Sequence, residues 1–311
     1  MALAATGPAR AEDTPVRRVL ITGCSSGFGR LTALELARRG HRVAATMRRL
    51  DGTNADAASE LRAIARDEGR TLSVHEIDVD EPASVERGVA AAREAMGGID
   101  VAVSNAGIGI PSPVELSMDA IERTFRTNLF GPLRVARAVL PGMRERRSGL
   151  VVFVSSGLGR LTLPGIAAYC GSKHGGEAMH EALAYEVADH GIDVSIVQPS
   201  GFDTDFNANA RAYHAELMAS LTAEQRERAD AYDEVIAFAR RLVGDYPQPD
   251  PQAVATAIAD LIELPEGQRP LRRTVGRSLE GVDRINDVMG EVQEGVMRAS
   301  GLGRRLPAKR A

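Results

Sequence analysis

The sequence predicts an α/β fold in which a doubly wound parallel sheet of about seven strands is flanked by helices. Short apolar runs such as Val151–Val154 indicate buried strands, and longer helical patterns lie between these runs. This β–α–β alternation favours parallel strands joined by right-handed crossovers. Late in the chain a polar helical stretch without a strand interrupts the alternation, and we expect it to cap a site formed by the sheet.

The composition is that of a globular protein with a sizeable core. The chain has 311 residues, of which 44% are apolar. A formal net charge of −4 gives no reason to expect nucleic acid as a partner, and no apolar run approaches the length of a membrane-spanning helix. Because Cys24 and Cys170 are far apart in sequence, free thiols are favoured over a disulfide, which indicates a cytoplasmic protein.

The first strand leads into a glycine-rich turn. A β-branched run, Arg18–Ile21, precedes Thr22–Gly29, and the helical pattern that follows stops at Gly40. Glycines between a strand and a helix let the backbone approach a pyrophosphate, whose charge then faces the helix N-terminus. The spacing G-x-x-x-G-x-G in this setting predicts a nucleotide site rather than only a tight turn.

The second strand, over 41–47, ends at two arginines. Enzymes that use NAD usually have an acidic residue here, which binds the ribose 2′-hydroxyl. This chain has Arg48 and Arg49 instead, and a guanidinium binds a 2′-phosphate well through paired hydrogen bonds. NADP is therefore predicted over NAD. The alternative is that both arginines only solvate a loop.

The alternation continues through the middle of the chain. We expect, in order, a helix over 57–67, a strand over 71–77, a helix over 82–96 and a strand over 99–103. A long helix over 118–146 follows, which the pair Gly131-Pro132 should kink. Asn128 in this helix either orients a water or a backbone carbonyl near the site or is hydrogen-bonded locally, and its position alone leaves both alternatives open.

The stretch 151–176 contains the residues that predict chemistry. Tyr169 and Lys173 are four apart, so a helix places them on one face. Ser156 follows the strand end, where open α/β sheets bind ligands. A phenol, an ammonium and a hydroxyl together suit proton transfer to or from a carbonyl oxygen while a hydride moves at its carbon. The pattern Y-x-x-x-K is short, however, and by itself it favours an ordinary surface pair.

We expect Lys173 to lower the pKa of Tyr169. A tyrosine starts near pKa ~10, too high for acid–base work at neutral pH. An ammonium about 4 Å away at an effective dielectric near 20 is worth roughly 4 kcal/mol, which would lower the phenol pKa by up to ~3 units. Ser156 would hydrogen-bond the same substrate oxygen.

The remaining chain completes the sheet and adds helices. We expect a strand over 193–197, a polar helical insertion over 206–243, a helix over 249–264, an edge strand over 271–275 and a helical tail from residue 276. The insertion has no strand pattern, so we expect it to cap the site. Candidates to line an apolar substrate pocket are Leu158, Leu161, Phe206 and Tyr213.

Together these motifs resemble the short-chain dehydrogenase/reductase family in its simple rather than extended branch, over about Val16–Leu264. Ser156 lies thirteen residues before Tyr169, as in that family. The sequences of the glycine turn and of the second strand end also resemble the hydroxysteroid and retinol-type members. Two departures are the sequence Ser-Asn-Ala-Gly at 104–107 and the Pro-Ser-Gly turn at 199–201.

The resemblance implies roles for individual residues. The four catalytic positions would be Asn128, Ser156, Tyr169 and Lys173, with tyrosine as the acid–base group, lysine also on the nicotinamide ribose and asparagine holding a relay water. Ser26 and Arg48 match positions that contact the 2′-phosphate, and Thr204 matches the one that contacts the carboxamide. The implied cofactor contacts are Gly23, Ser25, Ser26, Gly27, Phe28, Gly29, Arg48, Asp78, Val79, Asn105, Ala106, Gly107, Tyr169, Lys173, Pro199, Gly201 and Thr204; no metal site is implied.

We expect one Rossmann-type catalytic domain over 16–275, with a substrate-capping segment over about 203–247. A flexible lead over 1–15 and a helical tail with a basic end over 276–311 would flank it. The family pairs through helices like 118–146 and 166–190, so the resemblance implies a homodimer or homotetramer.

The expected function is NADP(H)-dependent interconversion of a secondary alcohol and a ketone, or of an aldehyde and its alcohol, on an apolar small molecule. One alternative is a non-catalytic redox sensor that binds NADP, although such sensors commonly lose the tyrosine or lysine. Another is epimerase or dehydratase chemistry on the same scaffold, whose usual spacing T-G-x-x-G-x-x-G is not the one found here.

Overall fold

The computed structural model describes residues 15–242 and 249–306. Within these ranges seven parallel strands form one sheet in the order β3-β2-β1-β4-β5-β6-β7, which confirms the predicted fold class. The strands are β1 (Arg18–Thr22), β2 (Arg42–Met47), β3 (Leu72–Glu76), β4 (Val101–Ser104), β5 (Gly149–Val154), β6 (Ile192–Pro199) and β7 (Arg272–Val275). Most of the predicted lead, the end of the predicted cap and residues 307–311 of the basic end lie outside the described residues.

Helices cover both faces of the sheet and extend beyond it. They are α1 (Gly27–Arg38), α2 (Ala55–Asp67), α3 (Pro82–Met96), α4 (Met118–Phe125), α5 (Gly131–Arg146), α6 (Ala167–Val187), α7 (Asp205–Ser220), α8 (Ala223–Asp230), α9 (Asp233–Leu242), α10 (Gln252–Glu263) and α11 (Glu280–Ala299). Of the helices that the structure describes, none combines the length and apolar character needed to cross a membrane.

The core consists of two apolar layers, one on each face of the sheet. Successive side chains of a strand point to opposite faces, so Val19 and Ile21 pack into one layer while Leu20 packs into the other. The first layer also contains residues of α1, α2 and α10, and the second contains residues of α3, α5 and α6. Burial on both sides explains why the central strands β4 and β5 are continuous apolar runs rather than alternating ones.

The predicted long helix over 118–146 is interrupted by a π-helical turn. Helix α4 ends at Phe125, the turn occupies Arg126–Phe130, and α5 begins at Gly131. The irregularity therefore precedes the Gly-Pro pair on which the prediction placed a kink. Pro132 causes no break there because it occupies the first turn of α5, where a missing N–H is tolerated.

The predicted cap is a group of three helices, α7 to α9. Leu221, Ala229 and Ile236 of the cap form a small apolar cluster with Leu116, which precedes α4. The cap thus packs partly on itself. Helix α7 begins where Thr204 accepts a hydrogen bond from the Phe206 amide at 3.4 Å, directly after the loop that leaves β6.

The C-terminal helix α11 docks on the domain. Val282 is fully buried, and the Thr274 hydroxyl donates to Asp283 at 2.8 Å. Beyond the helix, Arg305 forms an ion pair with Asp189 at 2.6 Å. The described part of the tail is therefore attached through both apolar and ionic contacts.

Candidate active site

A cleft of about 770 Å³ opens at the carboxyl edge of the sheet, where the strand order reverses between β1 and β4. Ligands bind open parallel sheets at such switch points. Of the site residues predicted from the sequence, Gly29 and Asn128 do not line this cleft. Those that do are Gly23, Ser25, Ser26, Gly27, Phe28, Arg48, Asp78, Val79, Asn105, Ala106, Gly107, Ser156, Tyr169, Lys173, Pro199, Gly201 and Thr204.

The glycine turn is packed so closely that side chains are excluded. Gly23 has φ +73°, and a Cβ there would lie 2.8 Å from the Ala106 Cα. A Cβ on Gly29 would lie 2.2 Å from the Gly23 carbonyl oxygen. The Thr22 hydroxyl accepts hydrogen bonds from the Asn105 and Ala106 amides, both at 3.1 Å. Two predicted cofactor segments, 23–29 and 105–107, are thereby joined into one floor of the cleft.

The N-terminus of α1 fits a phosphate group. Among the residues described, no side chain caps this helix end, and its first turn contains no acidic residue. The first amides of a helix are unsatisfied donors at the positive end of its dipole. Since Ser25, Ser26 and Gly27 line the cleft at this point, the residues present fit the pyrophosphate of a dinucleotide.

Arg48 lies at the next strand end and faces the cleft. Its Nη2 donates to the Tyr213 hydroxyl at 3.1 Å, and the Asn54 side chain donates to its carbonyl at 2.6 Å. Asp78 is held by a turn in which its carboxylate accepts from the Asp80 amide at 3.0 Å. These positions suit the adenosine half of a dinucleotide.

Burial controls the acidity of the tyrosine and the lysine. It raises the pKa of Tyr169 to about 12, while the hydrogen bond with Ser156 lowers that pKa. Burial lowers the pKa of Lys173 to about 8, although the charge of Glu177 raises it. The Lys173 Nζ donates to the Val154 carbonyl at 2.8 Å and lies 5.7 Å from the centre of the Tyr169 ring.

The predicted lowering of the Tyr169 pKa is therefore wrong for this structure. Desolvation of the phenolate outweighs the lowering effect of the Ser156 hydrogen bond on the pKa of Tyr169, and burial also destabilises the charged form of Lys173. The consequence is that Tyr169 stays protonated at neutral pH. It is thus in the form that can donate a proton to a carbonyl oxygen.

Asn128 holds a loop of the cleft in place. It lies in the π-helical turn, fully buried. Its Oδ1 accepts from the Ile108 amide and its Nδ2 donates to the Ile108 carbonyl, each at 2.8 Å. A further bond joins Nδ2 to the Ser172 hydroxyl at 3.1 Å. Of the two alternatives left open by the sequence, the structure shows the one in which the side chain orients a backbone carbonyl.

Sequence reasoning missed the buried carboxylate of Glu177, which lies behind the loop that follows β5, here called the catalytic loop (155–160). It accepts hydrogen bonds from Ser155 at 2.9 Å and Gln198 at 2.7 Å, and forms ion pairs with Arg160 at 3.1 Å and Arg272 at 3.0 Å. The sequence could have indicated this residue by its position, because Glu177 lies one helical turn after Lys173 on the same face of the helix.

A second group of residues missed by the sequence follows the last strand. Arg277, Ser278 and Leu279 line the cleft, and the Arg277 amide donates to the Ser200 hydroxyl at 3.1 Å. No motif marks these positions. Their place at the carboxyl end of an expected edge strand was the only indication.

Comparison with known proteins agrees with this geometry. A family model described as short chain dehydrogenase matches residues 17–215. The chain belongs to the short-chain dehydrogenase/reductase family. Retinol dehydrogenase 8 of Homo sapiens is 34% identical over 261 residues, which are 83% of this chain and 80% of that protein. The predicted family and the likeness to its retinol-type members are confirmed.

Solved structures of short-chain dehydrogenases share the fold across most of the chain. One from Streptomyces avermitilis is 30% identical with a TM-score of 0.70 and covers 93% of this chain and 98% of its own. A gluconate 5-dehydrogenase from Burkholderia cenocepacia, in complex with NADP and tartrate, is 30% identical with a TM-score of 0.57 and covers 63% of this chain and 77% of its own. As a short-chain dehydrogenase/reductase, the protein is an oxidoreductase that acts on CH–OH donors with NAD or NADP.

Proposed function

We propose that this short-chain dehydrogenase/reductase interconverts an apolar secondary alcohol and its ketone, or a primary alcohol and its aldehyde, with NADP(H). One observation supports this most directly. Tyr169, Ser156 and Lys173 line the same cleft as the glycine turn, so a carbonyl oxygen at the tyrosine lies within reach of a dinucleotide on the turn.

The residues of the cleft provide the proton chemistry. A bound nicotinamide supplies the hydride in reduction and accepts it in oxidation. Tyr169 donates its proton to the substrate oxygen in reduction and takes one from it in oxidation. Ser156, whose hydroxyl also accepts from the Leu158 amide at 3.1 Å, orients that oxygen. The Lys173 ammonium makes the negative charge that develops on the phenol less costly.

The substrate end of the cleft is apolar, which supports an apolar substrate. Phe206 packs against Tyr169 with ring centres 5.6 Å apart. Further apolar side chains lining the cleft are Ile110, Leu158, Leu161, Ile166, Ala210, Leu242 and Leu279. Such a surface gains binding energy mainly from burying hydrocarbon.

NADP is preferred in this proposal because of Arg48. Arg48 lines the same cleft as Ser26, and an arginine binds a phosphate through charge-assisted hydrogen bonds. The complex of the gluconate 5-dehydrogenase with NADP shows that the family includes NADP-binding members at this level of identity.

We also propose that the protein is a cytoplasmic homodimer or homotetramer. Phe130 and Met179 are each 49% exposed on the helical segments through which pairing was predicted. Large exposed apolar side chains on neighbouring helices favour association. Sedimentation velocity on the purified protein tests the oligomeric state, and a monomer at micromolar concentration would contradict it.

The test of the proposed function is Tyr169→Phe, assayed with NADPH and a panel of apolar ketones and aldehydes. We expect turnover to fall by roughly 100-fold or more, because general acid catalysis contributes that much, while NADPH binding stays within a factor of a few. Tyr232→Phe is the matched control, since Tyr232 lies on the cap and donates to Glu115 at 2.6 Å. Normal turnover in Tyr169→Phe would refute the mechanism.

A further inference from the structure

Helix α7 runs along the cleft from its catalytic end to its adenosine end. Phe206, Ala210 and Tyr213 share one face of this helix at i, i+4 and i+7, and all three line the cleft. Phe206 contacts Tyr169. About two turns further on, Tyr213 contacts Arg48. We call α7 the lid helix.

Tyr213 is held between two arginines. The Arg123 guanidinium lies over its ring, 4.5 Å from the centre, and Arg123 also pairs with Glu216 of the lid helix at 3.4 Å. The hydroxyl accepts a hydrogen bond from Arg48. A tyrosine hydroxyl can accept one bond and donate another, so its own proton is available to an acceptor beside Arg48.

We propose that Tyr213 and Arg48 together form the 2′-phosphate site, so that NADP holds the lid helix in place over the cleft more firmly than NAD does. The inference rests on the proposed NADP-binding function of the cleft. A phosphate beside the Arg48 guanidinium is an oxygen acceptor, and the phenol donates to it while the arginine contacts it as well. Tyr213 then determines cofactor specificity from the lid.

A contact that holds the adenosine end also affects the catalytic end because one helix reaches both ends. The same helix places Phe206 against Tyr169 and against Gly109, where a Cβ would lie 2.9 Å from the Phe206 ring. His214 fixes the helix further through a 2.7 Å hydrogen bond to the Pro111 carbonyl. A phosphate that holds Tyr213 therefore also holds the apolar wall over the substrate. By thermodynamic reciprocity, substrate binding strengthens NADP binding more than NAD binding.

The test compares adenosine 2′,5′-bisphosphate with adenosine 5′-monophosphate, which differ only in the 2′-phosphate. Binding to the full-length protein is measured by calorimetry, and hydrogen exchange of residues 205–220 is measured with each nucleotide. In the wild type we expect the bisphosphate to bind more tightly than the monophosphate. We also expect the bisphosphate, but not the monophosphate, to slow hydrogen exchange in the lid helix. Tyr213→Phe, which keeps the ring over which Arg123 stacks, should weaken bisphosphate binding roughly tenfold, leave monophosphate binding within twofold, and abolish the added protection.

Two outcomes contradict the proposal in different ways. If the wild type binds both nucleotides equally, the NADP preference is wrong and the inference falls with it. If the wild type prefers the bisphosphate and Tyr213→Phe keeps both the preference and the protection, only the role of Tyr213 is wrong. Tyr232→Phe controls for loss of a cap hydroxyl, and thermal melting of each variant confirms that it is folded.

Discussion

At the scale of single residues, the cleft contains a lysine whose charge is unusually sensitive to pH. Lys173 is 4% exposed, and burial lowers its pKa to about 8. Tyr169, with a pKa of about 12, remains protonated through the same range. Only the lysine of this pair therefore changes charge near neutral pH.

This difference predicts the pH dependence of reduction. Lys173 is cationic below its pKa of about 8 and neutral above it, so kcat/KM for ketone reduction should be flat below pH 8 and fall as the pH rises beyond it. Lys173→Arg keeps the charge at every accessible pH. Whatever activity this variant retains should lose the alkaline decline in a stopped-flow or steady-state profile. An unchanged decline would mean that another group titrates.

The grouping of the candidate catalytic residues in one cleft was predictable, but their acidity was not. The spacing of Ser156, Tyr169 and Lys173 predicted one shared cleft once the other motifs and the family resemblance were added, and all three residues line it. The raised pKa of Tyr169 depends on burial instead. Part of that burial comes from Phe206 of the cap, far away in sequence, and from an apolar cluster that includes Ala239 of the cap. An expectation based only on the charge of Lys173 could not include the effect of this burial on the pKa.

At the scale of elements, the glycine turn and the loop at 105–107 behave as one unit. Their contact requires both a left-handed backbone at Gly23 and the absence of a side chain there. Gly40, in the loop after α1, has φ +89°, but among the described residues no atom lies within 4 Å of the place that a methyl group would take. A comparison of the two positions therefore distinguishes the effect of backbone strain, which both share, from that of steric clash, which only Gly23 has.

The substitutions Gly23→Ala and Gly40→Ala should therefore differ sharply. Both introduce a side chain at positive φ, which costs about 1–2 kcal/mol of folding free energy. Gly23→Ala also forces a methyl group to within 2.8 Å of the Ala106 Cα, so it should abolish NADPH binding. Gly40→Ala should bind NADPH normally with a lower melting temperature. Equal cofactor binding by the two variants would contradict the role assigned to the turn.

Apolar patterns located the strands and helices well, since periodicity reports burial directly. The predicted edge strand over 271–275, for example, is observed as Arg272–Val275. Periodicity did not reveal the π-helical turn at Arg126–Phe130. Such a turn contains one extra residue, and the shift that this causes in the apolar pattern is smaller than the ordinary irregularity of the pattern. Asn128 within that turn was visible as a polar residue, but its partner Ile108 lies twenty residues away.

At the scale of the whole molecule, helix α11 joins the network of polar side chains that lies behind the catalytic loop. Asn286 donates to the Gln198 side chain at 2.7 Å and accepts from Arg160 at 3.0 Å. Both of these partners also contact Glu177. The tail was predicted as a helix, but its docking was not, because polar contacts between distant side chains produce no periodic signal.

Removal of this helix should therefore impair the core enzyme. A chain that ends at Gly276 lacks Val282 and Asn286, leaving apolar and charged groups exposed. We expect a lower melting temperature and loss of ketone reduction. A chain that ends at Leu306 keeps α11 and the Arg305–Asp189 pair and should behave as the wild type. Full activity without α11 would show that the helix is dispensable.

The lid helix also bears on the order of events in a catalytic cycle. Because a single helix lies along both the adenosine end and the catalytic end of the cleft, we expect the helix to move before spent cofactor leaves. We expect cofactor to enter first and leave last, in a compulsory order. The rate of turnover would then be limited by the movement of the lid helix rather than by hydride transfer, as in other enzymes in which a lid controls product release.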